Sequence, residues 1–154
     1  ALYGVKGELN GERPGIGVAE IVRPGEHVTV VATQLMRHRA VEAAEQLAAE
    51  GTSCEVIDPR TIAPLDTETI LESVEKTGHL VLVDQATRHA SVSTVISGEV
   101  AEHGFDSLQA PIVQVTGLDA TIPYSEPLEA YVLPDEDKVV AAVRGVLGTA
   151  PVTA

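Results

Sequence analysis

Aromatic residues are almost missing from this chain of 154 residues: there is no Trp, one Phe and three Tyr. A core built on rings is therefore excluded, and Val, Ile, Leu and Ala must fill it. That composition suits a parallel sheet covered by helices on both faces. Basic residues are also scarce. Ten Lys and Arg stand against 23 Asp and Glu, a net charge of -13. Nucleic-acid binding needs clustered cations to neutralise phosphates, so no nucleic-acid partner is expected. The negative charge either keeps the chain in solution or draws it to a basic protein partner.

One cysteine, Cys54, rules out an internal disulfide. It lies at the start of an expected strand with no basic neighbour in sequence to lower its pKa, which describes a buried, inert thiol. No apolar run is long enough to span a membrane, and no signal peptide is evident. No membrane partner is expected, and the expected location is cytoplasmic.

Several catalytic signatures are missing. No GxGxxG follows a strand, and neither GxxxxGK[ST] nor GxSxG occurs. Histidines 27, 38, 79, 89 and 103 are scattered, and none stands at a metal-ligand spacing from another His or from Cys. No metal site is expected.

What is present is regular alternation. Residues 1–16, ALYGVKGELNGERPGI, hold four glycines and a proline without a clear period, and read as a linker or extended arm. Residues 17–148 read as one domain, and 149–154 as a disordered tail. Ala19, Ile21 and Val22 mark a short strand, followed by the turn signal Pro24-Gly25. HVTVVAT, residues 27–33, is a β-branched run read as a central strand. Thr33 is placed to cap the next helix, whose buried stripe is Met36, Ala40, Ala43, Ala44 and Leu47. Gly51 stops it.

SCEVI, residues 53–57, is the next strand. Pro59 pushes Asp58 out of the helical region and Pro64 stiffens the rest of the turn. Asp58, Arg60 and Asp66 invite an acid–base reading. A structural account is stronger: Arg60 pairs with a neighbouring carboxylate, and Asp66 caps the helix carrying Ile70, Leu71 and Val74. HLVLVD, residues 79–84, is a strand buried on both faces. Ser91 to Gly104 reads as a helix with Val92, Val95, Ile96 and Val100 on one stripe. IVQVTG, residues 112–117, is the last strand. LDATIPYSEPLEAYVLP then reads as a long proline-marked loop, and Asp135 caps a final helix with Val139, Val140, Val143, Val146 and Leu147. The order implies an α/β fold, a three-layer α/β/α sandwich around a mainly parallel sheet.

Asp84, Arg88, His89, Ser91 and Ser93 follow a buried strand. In parallel sheets ligands sit outside the carboxyl ends of strands. These residues read either as a ligand or subunit contact or as a polar loop capping the next helix. Asp119, Pro123 and Tyr124 lie past the end of another strand. They read as part of an assembly surface, since a Tyr beside prolines is a rigid anchor. The alternative is that Tyr124 packs the loop onto its own domain.

EVIDPRTIAPLDTETILESVEKTG and APIVQVTGLDATIPYSEPLEAYVLPDEDKVVAAVRGVL together resemble the C-terminal domain of 2-oxo acid dehydrogenase E1 β subunits. These are the pyruvate, branched-chain and acetoin dehydrogenases of the transketolase superfamily. The most specific marks are VTG-x-D-x-x-x-PY and the downstream LP-x-x-x-K-V. The likeness runs from Ala1 to Leu147, and ALYGVKGEL resembles the interdomain connection. Many members carry a glycine-rich patch after the third parallel strand; here it reads ATRHASVSTVISGEV, with Gly98 only.

The resemblance implies a mixed five-stranded sheet, with residues 17–23 antiparallel to the rest. It implies an α2β2 heterotetramer using thiamine diphosphate and Mg2+ to decarboxylate a 2-oxo acid oxidatively and pass the acyl group to the lipoyl arm of E2. In that family the cofactor and the catalytic histidine belong to parts absent from this sequence. The isolated chain is expected to bind no cofactor and to be inactive. Its implied partners are the E1 α subunit, a second β subunit and the basic subunit-binding domain of E2. A free-standing, non-catalytic interaction module with the same fold is the alternative. A small-molecule-binding regulatory domain is a third reading, from the fold alone.

Overall fold

The computed structural model describes residues 15–148. The arm expected over 1–16 therefore lies outside the described residues except for Gly15 and Ile16, and the tail expected over 149–154 lies wholly outside them. Within the described residues the order is β1 (Glu20–Arg23), β2 (Val28–Ala32), α1 (Gln34–Ala49), β3 (Cys54–Asp58), α2 (Thr67–Thr77) and β4 (Leu80–Thr87). Then come α3 (Val92–His103), β5 (Val113–Gly117), α4 (Glu126–Val132) and α5 (Glu136–Val146). Short 3-10 turns at Arg88–Ala90 and Phe105–Ser107 flank α3.

The sheet has the order β1-β3-β2-β4-β5. β2, β3, β4 and β5 run parallel, and β1 runs antiparallel against β3. This is the mixed five-stranded sheet that the resemblance implies. Alternation along each strand builds two cores, because successive side chains point to opposite faces. Val28, Val30, Val56, Val81 and Val83 pack with the inner faces of α1 and α5. Val31, Ile57, Leu80 and Leu82 pack with α2 and α3. The three-layer sandwich follows.

Helix ends obey local chemistry. Asp66 accepts from Thr69 N at 3.1 Å at the start of α2, and Gly78 closes it in the left-handed region at φ 72. Asp135 accepts from Lys138 N at 2.8 Å at the start of α5. Thr33 departs from expectation. It stands at the N-cap of α1, but its side chain makes no capping hydrogen bond. The next residue, Gln34, has φ 51, so the chain turns sharply into the helix there.

Gly25 is required by close approach: a Cβ there would lie 2.2 Å from the backbone of Cys54 and Glu55. Glu55 is the one buried carboxylate of β3, 2% exposed, and it accepts from Gly25 N at 3.2 Å and from Lys76 Nζ. Burial pushes its carboxyl up, but the hydrogen bonds from Lys76, Ser73 and Gly25 outweigh burial and hold it below the ordinary value. Cys54 is fully buried, and burial pushes its thiol up to about 11 against the opposing pull of Arg23.

Two expectations need correction. The segment after β5 is not all loop: Glu126–Val132 forms α4. Pro127 sits in its first turn, where a missing N–H costs nothing, so the proline starts the helix instead of breaking it. Val95 was expected on the buried stripe of α3 but is 56% exposed, while Ser93 is buried in its place. No helix of the described residues is long and apolar enough to cross a membrane.

Candidate functional site

β2 feeds α1 on one face of the sheet and β4 feeds α3 on the other. The two connections part outside the carboxyl ends of β2 and β4, where open α/β sheets hold their ligands. A crevice of about 520 Å³ lies there, lined among others by Thr33, Gln34, Ile62, Ala86, Val95 and Ile122. Its lips are apolar: Ile62, Val95 and Ile122 are each more than half exposed.

Asp84 ends the buried part of β4 beside this crevice. Its carboxylate accepts from Ser91 Oγ at 2.6 Å, Ala86 N at 3.1 Å and Val92 N at 3.2 Å. Ser91 Oγ accepts in turn from Ser93 N at 3.0 Å. Asp84, Ser91 and Ser93 therefore form a closed network that starts α3. Arg88 and His89 stand apart from it. Both are exposed, and His89 Nδ1 lies 3.5 Å from Asp119 Oδ2.

The turn after β3 is pinned by charge. Arg60 reaches Glu20 on β1 at 2.8 Å, and its own N–H donates to Asp58 Oδ1 at 2.9 Å. Asp58 also faces Arg37 Nε at 3.5 Å. Arg60 has φ 56, an uncommon conformation for a residue with a side chain. Asp66 spends both oxygens, on Thr69 and on Ala19 N at 2.8 Å. Burial raises its carboxyl, and the N–H groups of Ala19 and Thr69 with the Thr69 hydroxyl outweigh that and lower it. Asp58 and Arg60 are thus brought together in one charged turn, while Asp66 stands apart from them as the cap of α2.

The segment after β5 has a different character. Asp119 and Tyr124 are exposed, Tyr124 fully so, and Pro123 is half-buried. Tyr124 does not pack the loop onto its own domain. Leu118, Ile122, Leu128 and Tyr131 are also exposed, while α4 buries only Val132. Sequence reasoning missed Leu128 and Tyr131 because it missed the helix. Ser125-Glu126-Pro127 was the available signal, an N-cap residue followed by an early proline.

Phe105 was missed as well. It is the only Phe in the chain, yet it is 69% exposed on the turn after α3. Glu102 and Asp106 are exposed beside it, and the neighbouring α2 exposes Glu68, Glu72 and Glu75. An apolar ring in an acidic field suits a basic partner with an apolar contact.

Holding thiamine diphosphate needs a metal and a cradle for the diphosphate. Among the described residues no three His, Cys, Asp or Glu are grouped to hold a metal ion. The carboxylate nearest the crevice, Asp84, is already engaged. The crevice thus offers no free carboxylate to a metal ion.

The model of the family described as "Transketolase, C-terminal domain" matches residues 17–139. The acetoin:2,6-dichlorophenolindophenol oxidoreductase subunit beta of Cupriavidus necator is 44% identical over 145 residues, covering 93% of this chain and 43% of that protein. Its counterpart in Bacillus subtilis is 40% identical over 148 residues, covering 95% and 43%. The mitochondrial pyruvate dehydrogenase E1 component subunit beta of Caenorhabditis elegans is 44% identical over 136 residues, covering 88% and 39%. The chain thus spans less than half the length of these relatives. A solved structure, "Split gene transketolase, inactive beta4 tetramer", superposes with a TM-score of 0.78 at 28% identity, over 90% of this chain and 44% of that one.

Proposed function

The chain belongs to the transketolase C-terminal domain family, and from that premise we propose that it is the non-catalytic assembly domain of an E1 β subunit. The whole enzyme would be a 2-oxo acid dehydrogenase component that uses thiamine diphosphate and Mg2+, with lipoyl groups of E2 as acceptor. The cofactor would be held outside this domain, and the enzyme would work in the cytoplasm. Relatives named as pyruvate dehydrogenase E1 component subunit beta support this reading.

The observation that carries the assembly role is the surface after β5. Leu118, Ile122, Tyr124, Leu128 and Tyr131 face solvent together on one short segment. Exposed apolar clusters of this kind mark protein interfaces. Asp119, Pro123 and Tyr124 belong to this surface, whose partners would be the E1 α subunit and a second β subunit. The acidic α2–α3 face around Phe105 would receive the basic subunit-binding domain of E2. Asp58, Arg60 and Asp66 serve the fold, as turn and cap.

Calorimetric titration of thiamine diphosphate with Mg2+ into the 154-residue chain tests the division of labour. No heat of binding and no turnover of pyruvate or acetoin are expected. Cofactor binding with turnover by this chain alone would defeat the proposal.

A further inference from the structure

Lys138 is the cation of the LP-x-x-x-K-V stretch. Its Nζ donates to Leu133 O at 2.6 Å and Tyr131 O at 3.2 Å, and lies 3.3 Å from Asp135 Oδ2. It thus grips the last carbonyls of α4 from the first turn of α5. A cation at a helix C-terminus satisfies orphan carbonyls and complements the helix dipole.

α4 needs such a grip. It has seven residues and buries one side chain, Val132. A helix that short is not stable by itself. Just past β5, Leu118 N donates to Val132 O at 3.0 Å, a further tie. The rest of the stretch fits the same design. Pro134 follows the helix end, Asp135 caps α5 and pairs with Lys138, and Val139 anchors α5 in the core at 1% exposure.

We propose that Lys138 is a positioning residue: it clamps α4 so that Tyr131, Leu128 and the adjoining Tyr124 are presented to the α subunit. The inference rests on the assembly role proposed above. Lys138 touches no partner itself in this account; it acts through the helix it holds.

The test combines amide hydrogen exchange on the 154-residue chain with association of the complete β subunit with its α subunit. Lys138→Met keeps the aliphatic stem and removes the donors. The expected result is at least tenfold faster exchange at Val132 and Leu133, unchanged exchange at Leu82 and Val115, and at least tenfold weaker association. Lys138→Arg restores the charge and should recover most of both. Unchanged exchange in Lys138→Met overturns the clamp. Faster exchange with unchanged association overturns the positioning role. Tyr124→Ala, measured alongside, separates the two ideas: if it weakens association when Lys138→Met does not, the assembly surface stands and only the clamp falls.

Discussion

Lys76, near the end of α2, donates its Nζ to Glu55, a carboxylate on β3 whose side chain is only 3% exposed. The pair ties the helical layer to the sheet at its amino end. Removing one partner strands the other. Lys76→Met should destabilise the chain by roughly 1–3 kcal/mol, below the ~3–5 kcal/mol of a fully buried pair because Lys76 itself is partly solvated. Urea denaturation reads this directly, and a loss under about 0.5 kcal/mol would show that water already screens the pair.

Acid should unfold the chain partly through Glu55 and Asp66. Both carboxyls are held below their ordinary values of 4.5 and 3.8 in the folded state. A lowered folded pKa contributes stability that is complete above the unfolded value and is lost as pH falls through the folded one. The Glu55 contribution is therefore whole at neutral pH and starts to fall near pH 4.5. Glu55→Gln should flatten the acid limb of a stability-against-pH curve. An unchanged limb in that variant would count against the assignment.

Asp66→Ala removes the cap of α2 and orphans Ala19 N. Loss of a cap alone costs about 1 kcal/mol, and the stranded N–H adds about 1–3 kcal/mol. Asp66→Asn keeps one of the two acceptor oxygens and should lose less. Thermal unfolding of the two variants gives the ranking, and equal losses would contradict the hydrogen bonds assigned to the carboxylate.

Two glycines should respond in opposite directions. Gly25→Ala places a Cβ against the Cys54–Glu55 backbone and should prevent stable folding or cost several kcal/mol, as overpacking against an immovable neighbour does. Gly98→Ala meets nothing within 4 Å, inside α3, and should stabilise by roughly 0.5–1 kcal/mol. Circular dichroism melts decide both.

Much of the fold was legible for a physical reason. β2 and β4 are buried on both faces, so they read as unbroken apolar runs that admit few other interpretations. Asp66 and Asp135 were legible because capping is local chemistry. α4 was not, because its apolar residues face solvent and its spacing therefore carries no core signal. The Glu55–Lys76 and Arg60–Glu20 pairs join residues far apart in sequence, and no local pattern names the partner. Val95 misled because helical spacing shows a stripe without saying which edge of it is covered. At the candidate site, Asp119, Pro123 and Tyr124 were readable as loop residues, whereas the exposed Leu128 and Tyr131 sit on a helix that was not.

The most direct measurement is sedimentation velocity of the complete β subunit carrying Tyr124→Ala and Leu128→Ala, mixed with its α subunit. The account predicts a folded β subunit that no longer forms the α2β2 species, since hot-spot anchors of an interface have been removed. A full yield of α2β2 at wild-type affinity would contradict it and show that assembly uses some other face of the domain.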